Sequence, residues 1–413
     1  MRALPAIVEC FSRVLSAGPR LWRLTAAVCL LAALSACATT SVRQVVPPQL
    51  VDKAEVVGLN SQRIRIWGDA APKNFAAMVK KFESQQKAAG ITGRKKRNAI
   101  HNMLVISGGG SDGAFGAGLL NGWTQSGKRP QFTVVTGVST GALMAPFAFL
   151  GPRYDHVLKE FYTKYSTKDI LKPAVLAGLL GGSAVGDSDP LAALIAKYLN
   201  RSLMREIAAE HQKGRRLLVG TTNLDAERPV IWNMGEIASA GTKRALQLMR
   251  KVVLASASIP GVFPPVLIDV KVNGKVRQEM HVDGGTTDNA ILLPIQTNIR
   301  AIDKSLGHKV RRRLFIVVNS HVNPEWKNVK AKTVDIAGRS IATLIKQQTI
   351  GDILKLYGYA VKNKIEFRLA TVPDDFREER KEPFDRAYMT KLFKTGRALG
   401  QTGIKWRRRP VGL

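Results

Sequence analysis

A single serine stands between two glycines at Gly137-Val138-Ser139-Thr140-Gly141, directly after the β-branched run "FTVVT". In a G-x-S-x-G pattern the glycines let a strand turn sharply into a helix, so the serine Oγ projects from the end of a sheet. The following helix dipole favours negative charge developing on a nearby oxygen. A helix-capping serine with glycine neighbours reads the same way. An alkyl hydroxyl is a poor nucleophile and needs a base. In the order serine, acid, histidine, the base comes late, which leaves His308 or His321 among the six histidines. The other candidate is Asp283 in "HVDGGTTDN", residues 281–289. An acid followed by two glycines after a strand-like run lets the backbone approach a neighbouring loop, where the carboxylate can take the serine proton directly. The same pair also reads as an ordinary Asp-Gly turn.

A glycine loop, "SGGGSDGAFGAG", occupies residues 107–118. Gly108, Gly110 and Gly113 meet the G-x-G-x-x-G spacing of a dinucleotide site, which wants an acidic residue about 20 positions on. No Asp or Glu lies between Asp112 and Asp155. The Lys-Ser/Thr pair of a nucleotide P-loop is missing as well. What remains is a turn whose backbone N–H groups face outward at a helix N-terminus, suited to an anion or a transient oxyanion. A plain tight turn has the same glycines. No Asp, Glu or His spacing suggests a metal site, and the reading calls for no cofactor.

Taken in order, "GGGSDGAFGAG", then "GVSTG" some thirty residues on, "ASASIPGVFPPV" (255–266) and "DGG" resemble the patatin-like phospholipases. The resemblance runs from about Met103 to Asn323, roughly half the chain. It implies a three-layer α/β/α sandwich around a mostly parallel sheet, and a Ser–Asp dyad without histidine. Ser139 then matches the nucleophile, Asp283 the base, and Gly108, Gly109, Gly110 and Gly113 the oxyanion loop. Gly137, Gly141, Gly284 and Gly285 match the family's motif glycines. One position departs: the family's loop usually carries Arg or Lys just before its last glycine, and here that residue is Asp112. The implied reaction is acyl transfer from a phospholipid or other acyl-ester lipid, as in a phospholipase A or lysophospholipase. An esterase or thioesterase of the same fold is an alternative. So is a catalytically weak, lipid-binding envelope lipoprotein, to which Asp112 points.

The elements around these motifs alternate. Strands are expected at "HNMLVIS" (101–107), "RLLVGTTNLD" (216–225), "PVIWNM" (229–234), "RLFIVVNS" (313–320) and, within the helical tail, "IEFRLATV" (365–372), with helices between, as in an α/β layer fold. The division expected is a signal peptide at 1–36, a tether and helix at 37–97, a catalytic domain at 98–325, and a mainly helical extension at 326–413 that packs on the core. Four arginines precede the apolar run Leu24–Leu34, which is too short for a permanent span. The run ends in "LSAC", like the lipoprotein cleavage box, so Cys37 is the expected lipidation site. Ordinary cleavage after Ala36 or Ala38 is the alternative. Ala38 favours the outer membrane. The formal net charge is +32, and removing residues 1–36, with four arginines and one glutamate, leaves about +29. For an exported chain the expected polyanion is an anionic membrane surface rather than nucleic acid. An apolar stretch joined to a Gly/Ser-rich one at 169–191 is expected either as a lid over the site or as a buried helix and loop. Nothing in the sequence sets an oligomeric state.

Overall fold

β3 (Ile100–Ile106) shows how the sequence builds the core. Leu104 and Ile106 point into one large apolar cluster, while Met103 and Val105 point into another on the opposite face. A two-residue period with both faces apolar belongs to a strand covered on both sides. The computed structural model describes residues 43–59, 63–91, 100–173, 184, 186–294, 296, 297, 299, 303 and 310–412. The expected signal segment, Cys37, His308 and residues 174–183 and 185 of the expected lid lie outside them. The chain divides into a short unit, Met1–Val45, and a body, Val46–Leu413, to which all that follows belongs.

Among the described residues ten strands form one sheet. Besides β3 these are β1 (Glu55–Val56), β2 (Arg65–Trp67), β4 (Val134–Val138), β5 (Arg216–Asn223), β6 (Arg228–Asn233), β7 (Val266–Val272), β8 (Lys275–Asp283), β9 (Arg311–Val318) and β10 (Glu366–Thr371). The central run β5-β4-β3-β9-β10 is parallel throughout. Antiparallel strands extend it from β5: β6 and then β2, and separately β8, β7 and β1. Helices cover both faces, giving the expected α/β/α layering. On one side lie α2 (Gly113–Gln125), α3 (Thr140–Leu150), α4 (Lys243–Ser256) and α6 (Arg386–Thr402). The long α5 (Thr333–Lys362) buries Ile353, Leu356 and Tyr359 on the other, and α1 (Phe75–Ala88) precedes the sheet's first central strand.

Two features set up the site. First, β4 and β8 meet end to end along the same edge of β5. Val138 pairs with Gly220 and Asp283 with the next residue, Thr221, while β6 holds the opposite edge over residues 218–223. Second, α2 and α6 cross at glycine contacts. A Cβ on Gly118 would stand 2.1 Å from the Phe393 carbonyl oxygen, and one on Gly396 2.3 Å from that of Phe115. The residues expected as a helical extension therefore close over the glycine-loop helix and add β10 to the central sheet.

Candidate active site

Ser139 follows the last residue of β4 and precedes the first residue of α3, with φ 55° and ψ −126°. A non-glycine residue at positive φ is strained and persists only where its surroundings fix it. Here the flanking glycines make room rather than supply φ freedom. A Cβ on Gly137 would stand 2.2 Å from the Gly141 carbonyl oxygen, and one on Gly141 2.3 Å from that of Ile106. The turn is pinned from a third element, since Ser139 N donates to Ser256 Oγ (2.9 Å) and Ser256 Oγ donates to the Gly220 carbonyl (2.6 Å).

Asp283 ends β8 and is fully surrounded. Its N–H donates to the Ser258 carbonyl at 2.9 Å, and its Oδ1 accepts the Gly285 N–H at 2.7 Å. Oδ2 is buried without an aligned donor among the described residues. The Ser139 hydroxyl is nonetheless near enough to favour the ionised carboxylate. Such serine–base contacts are commonly loose before substrate arrives. Burial dominates and raises the Asp283 pKa to about 7, against the opposing pull of the nearby Ser139 hydroxyl and the Gly285 N–H. Gly284 lets this turn close on both β5 and β4, because a Cβ there would lie 2.7 Å from the Gly220 oxygen and 2.8 Å from Val138 Cγ1.

The glycine loop faces Ser139 from β3. Gly109 (φ 153°) and Gly110 (φ 57°) need glycine for their conformation. Their N–H groups make no backbone hydrogen bond among the described residues, and Gly110 lines the same pocket as Ser139. The other two loop glycines, expected as donors, are already engaged. Gly108 N donates to the Asn289 carbonyl (3.2 Å), and Gly113 N to the carbonyls of Gly110 and Ser111. They serve by being small: a Cβ on Gly108 would touch Asn289 Oδ1 at 2.2 Å and Ser139 Cβ at 3.0 Å.

Four residues that sequence reading passed over hold this loop. Asn319 donates from N to Ser107 Oγ and from Nδ2 to the Ser107 carbonyl, both 2.9 Å, and its Oδ1 accepts Gly116 N at 3.0 Å. Asn289 donates from Nδ2 to Thr349 Oγ1 and from N to Asp352 Oδ2 of α5, both 2.6 Å. Arg380 donates to Ser111 Oγ at 2.9 Å and lies 3.6 Å from Asp112 Oδ1. Tyr388 Oη donates to the same Asp112 oxygen at 2.8 Å. Asp112 thus turns neither outward to water nor onto Ser139, but toward the C-terminal segment. Burial raises its pKa, with Arg380 the largest opposing influence.

Among the described residues no histidine bonds Ser139. His321 approaches Glu325 at 3.8 Å, while His281 is buried against Thr221 and Glu279. Beside Ser139 lies an apolar cavity of about 30 Å³ lined by Leu143, Phe161, Ile170, Leu191, Phe263 and Met389. That is room for about one water. Ile170 and Leu191 come from the stretch expected as a lid. The arrangement offers a strained hydroxyl, a buried carboxyl, two free N–H groups and an apolar wall, a set suited to acyl transfer.

Residues 104–296 match the family described as patatin-like phospholipase. Among solved structures, the crystal structure of VipD from Legionella pneumophila aligns at 13% identity over 73% of this chain and 67% of that one, with a TM-score of 0.36. A search of curated proteins found no match.

Proposed function

Since residues 104–296 form a patatin-like phospholipase domain, we propose that this chain is a serine acyl hydrolase of phospholipids or related acyl lipids, working through Ser139 and Asp283. The family supports a lipid acyl hydrolase in general. The finer assignment rests on one observation: the strained Ser139 follows Val138 and the buried Asp283 stands on the next rung of β5, beside a glycine loop whose Gly109 and Gly110 N–H groups make no backbone hydrogen bond among the described residues. In the proposed cycle Asp283 takes the Ser139 proton as Oγ attacks the ester carbonyl. The Gly109 and Gly110 N–H groups hold the oxyanion, each such donor contributing about 10²–10³ in rate. As the carbon–oxygen bond breaks, protonated Asp283 returns the proton to the leaving alcohol. Water then attacks the acyl-serine, Asp283 accepts its proton, and the free fatty acid leaves with Ser139 restored. No step requires a cofactor.

Fatty-acid release from mixed phospholipid vesicles tests this. Wild type should release fatty acid, and Ser139→Ala and Asp283→Asn should lose at least about a thousandfold. Undiminished release by either variant would refute the dyad. If wild type binds the vesicles without releasing fatty acid, the reading becomes a lipid-binding protein without turnover, which the buried carboxylate of Asp112 in the oxyanion loop favours.

A further inference from the structure

Five of the twelve large hydrophobic side chains exposed among the described residues fall within Trp326–Leu344. Trp326 is 91% exposed and Leu344 70%, and Val329, Ile336 and Ile341 accompany them. The same nineteen residues carry Lys327, Lys330, Lys332 and Arg339 against one acid, Asp335. The three lysines make no ion pair among the described residues. Ile336 and Leu344, eight residues apart, share one face of the amino-terminal half of α5, and Val329 lines a shallow groove with Ile336 and Thr343. A monomer rarely leaves such an apolar patch in water unless it binds something.

Position says what it faces. The segment begins a few residues after Asn319, whose carbonyl oxygen would lie 2.0 Å from a Cβ on Gly109. Further along, Thr349 and Asp352 of α5 hold Asn289 against Gly108. One half of α5 is therefore anchored beside the candidate site. The other half runs about 24 Å, from Thr333 to Thr349, with its side chains largely in solvent. No described helix, α5 included, is long and apolar enough to cross a membrane.

We propose that Trp326, Ile336 and Leu344, ringed by Lys327, Lys330, Lys332 and Arg339, dock the protein onto an anionic lipid bilayer with the Ser139 end of the sheet toward the lipid. An indole beside flexible lysines suits the headgroup layer, where its ring finds apolar contact and its N–H stays wet. The lysines supply attraction that a neutral surface or an apolar protein groove would not reward, each basic residue near an anionic leaflet adding about fivefold in binding. The inference deepens the acyl-hydrolase reading by locating the face that meets its substrate.

Flotation with phosphatidylglycerol–phosphatidylcholine and pure phosphatidylcholine vesicles, using the full chain carrying Ser139→Ala, tests docking apart from chemistry. Affinity for the anionic vesicles should fall at least tenfold in Trp326→Ala/Leu344→Ser and in Lys327→Glu/Lys330→Glu/Lys332→Glu. Brominated lipid should quench Trp fluorescence less in Trp326→Phe. In the Ser139 background, the same variants should hydrolyse a soluble short-chain ester at the wild-type rate, which shows that they fold. Unchanged binding in both variants, or equal wild-type affinity for both vesicles, would overturn the proposal. Trp326-dependent binding by a protein inactive on every ester would uphold docking while the acyl-hydrolase reading fails.

Discussion

Burial brings Asp283 close to neutral pH, where the proposed base would have to work. With its pKa raised to about 7, the carboxyl is a base only in its ionised form, so kcat/KM should climb as pH rises through about 7 and then level. Stability runs the other way. The folded pKa lies above the ordinary 3.8, so the native state binds the proton more tightly and loses stability as pH rises from about 4 to about 7. Asp283→Asn should therefore abolish turnover, raise the melting temperature at pH 8 by a few degrees, and flatten its dependence on pH between 4 and 8. A melting temperature lowered at pH 8 would contradict this account. Arg380 is the second test at this scale. Removing it as Arg380→Gln leaves Asp112 with Tyr388 but no cation beside the oxyanion loop. kcat should fall tenfold or more with KM unchanged, because one uncompensated charge at ε ≈ 20 still costs about 1.4 kcal/mol at about 12 Å. Asp112→Asn in the same chain should restore it.

Elements differ in how openly the sequence declares them. The turn at Ser139 was legible because it lies in five consecutive residues, and the β-branched run before it fixes the side from which it projects. β3, β5, β6, β9 and β10 were legible through their apolar runs, within a residue or two. Ser256, Asn289, Asn319 and Arg380 were not. Each is a lone polar residue on an element distant in sequence from its partner, where its type suits any turn or helix end. Nor does spacing reveal that Gly108 and Gly113 have occupied N–H groups, since a glycine used for its size and one used for its amide are the same letter. The α2–α6 crossing was equally hidden, because its glycines lie nearly 280 residues apart (Gly118 and Gly396). Gly118→Val forces these backbones apart and should cost about 1–3 kcal/mol, read as a lower denaturant midpoint. An unchanged midpoint would mean the crossing relaxes freely.

At the level of the whole molecule, the four motifs in order gave the layer architecture. The final ninety residues are where reading by motif fell short. They were expected as a mainly helical extension packing on the core, with one strand at 365–372; that strand is β10, which joins the central sheet in parallel, and α6 covers the helix after the glycine loop. A chain of residues 46–325 should accordingly fail to give a cooperative thermal transition, whereas 46–413 should show one. A sharp melt in the shorter chain would refute that dependence. The end-to-end meeting of β4 and β8 on β5 carries a further consequence, for how this protein tolerates change in length. The proposed base, Asp283, reaches the proposed nucleophile, Ser139, by counting rungs from Gly220 to Thr221, while the far tip of the β7–β8 hairpin turns at Asn273 and Gly274, away from that count. Extra residues at the tip leave the count intact, whereas one residue added between His281 and Asp283 would swing the carboxylate to the other side of the sheet. Lineages of this fold can therefore drift in size at one end of a hairpin while its other end admits no insertion at all.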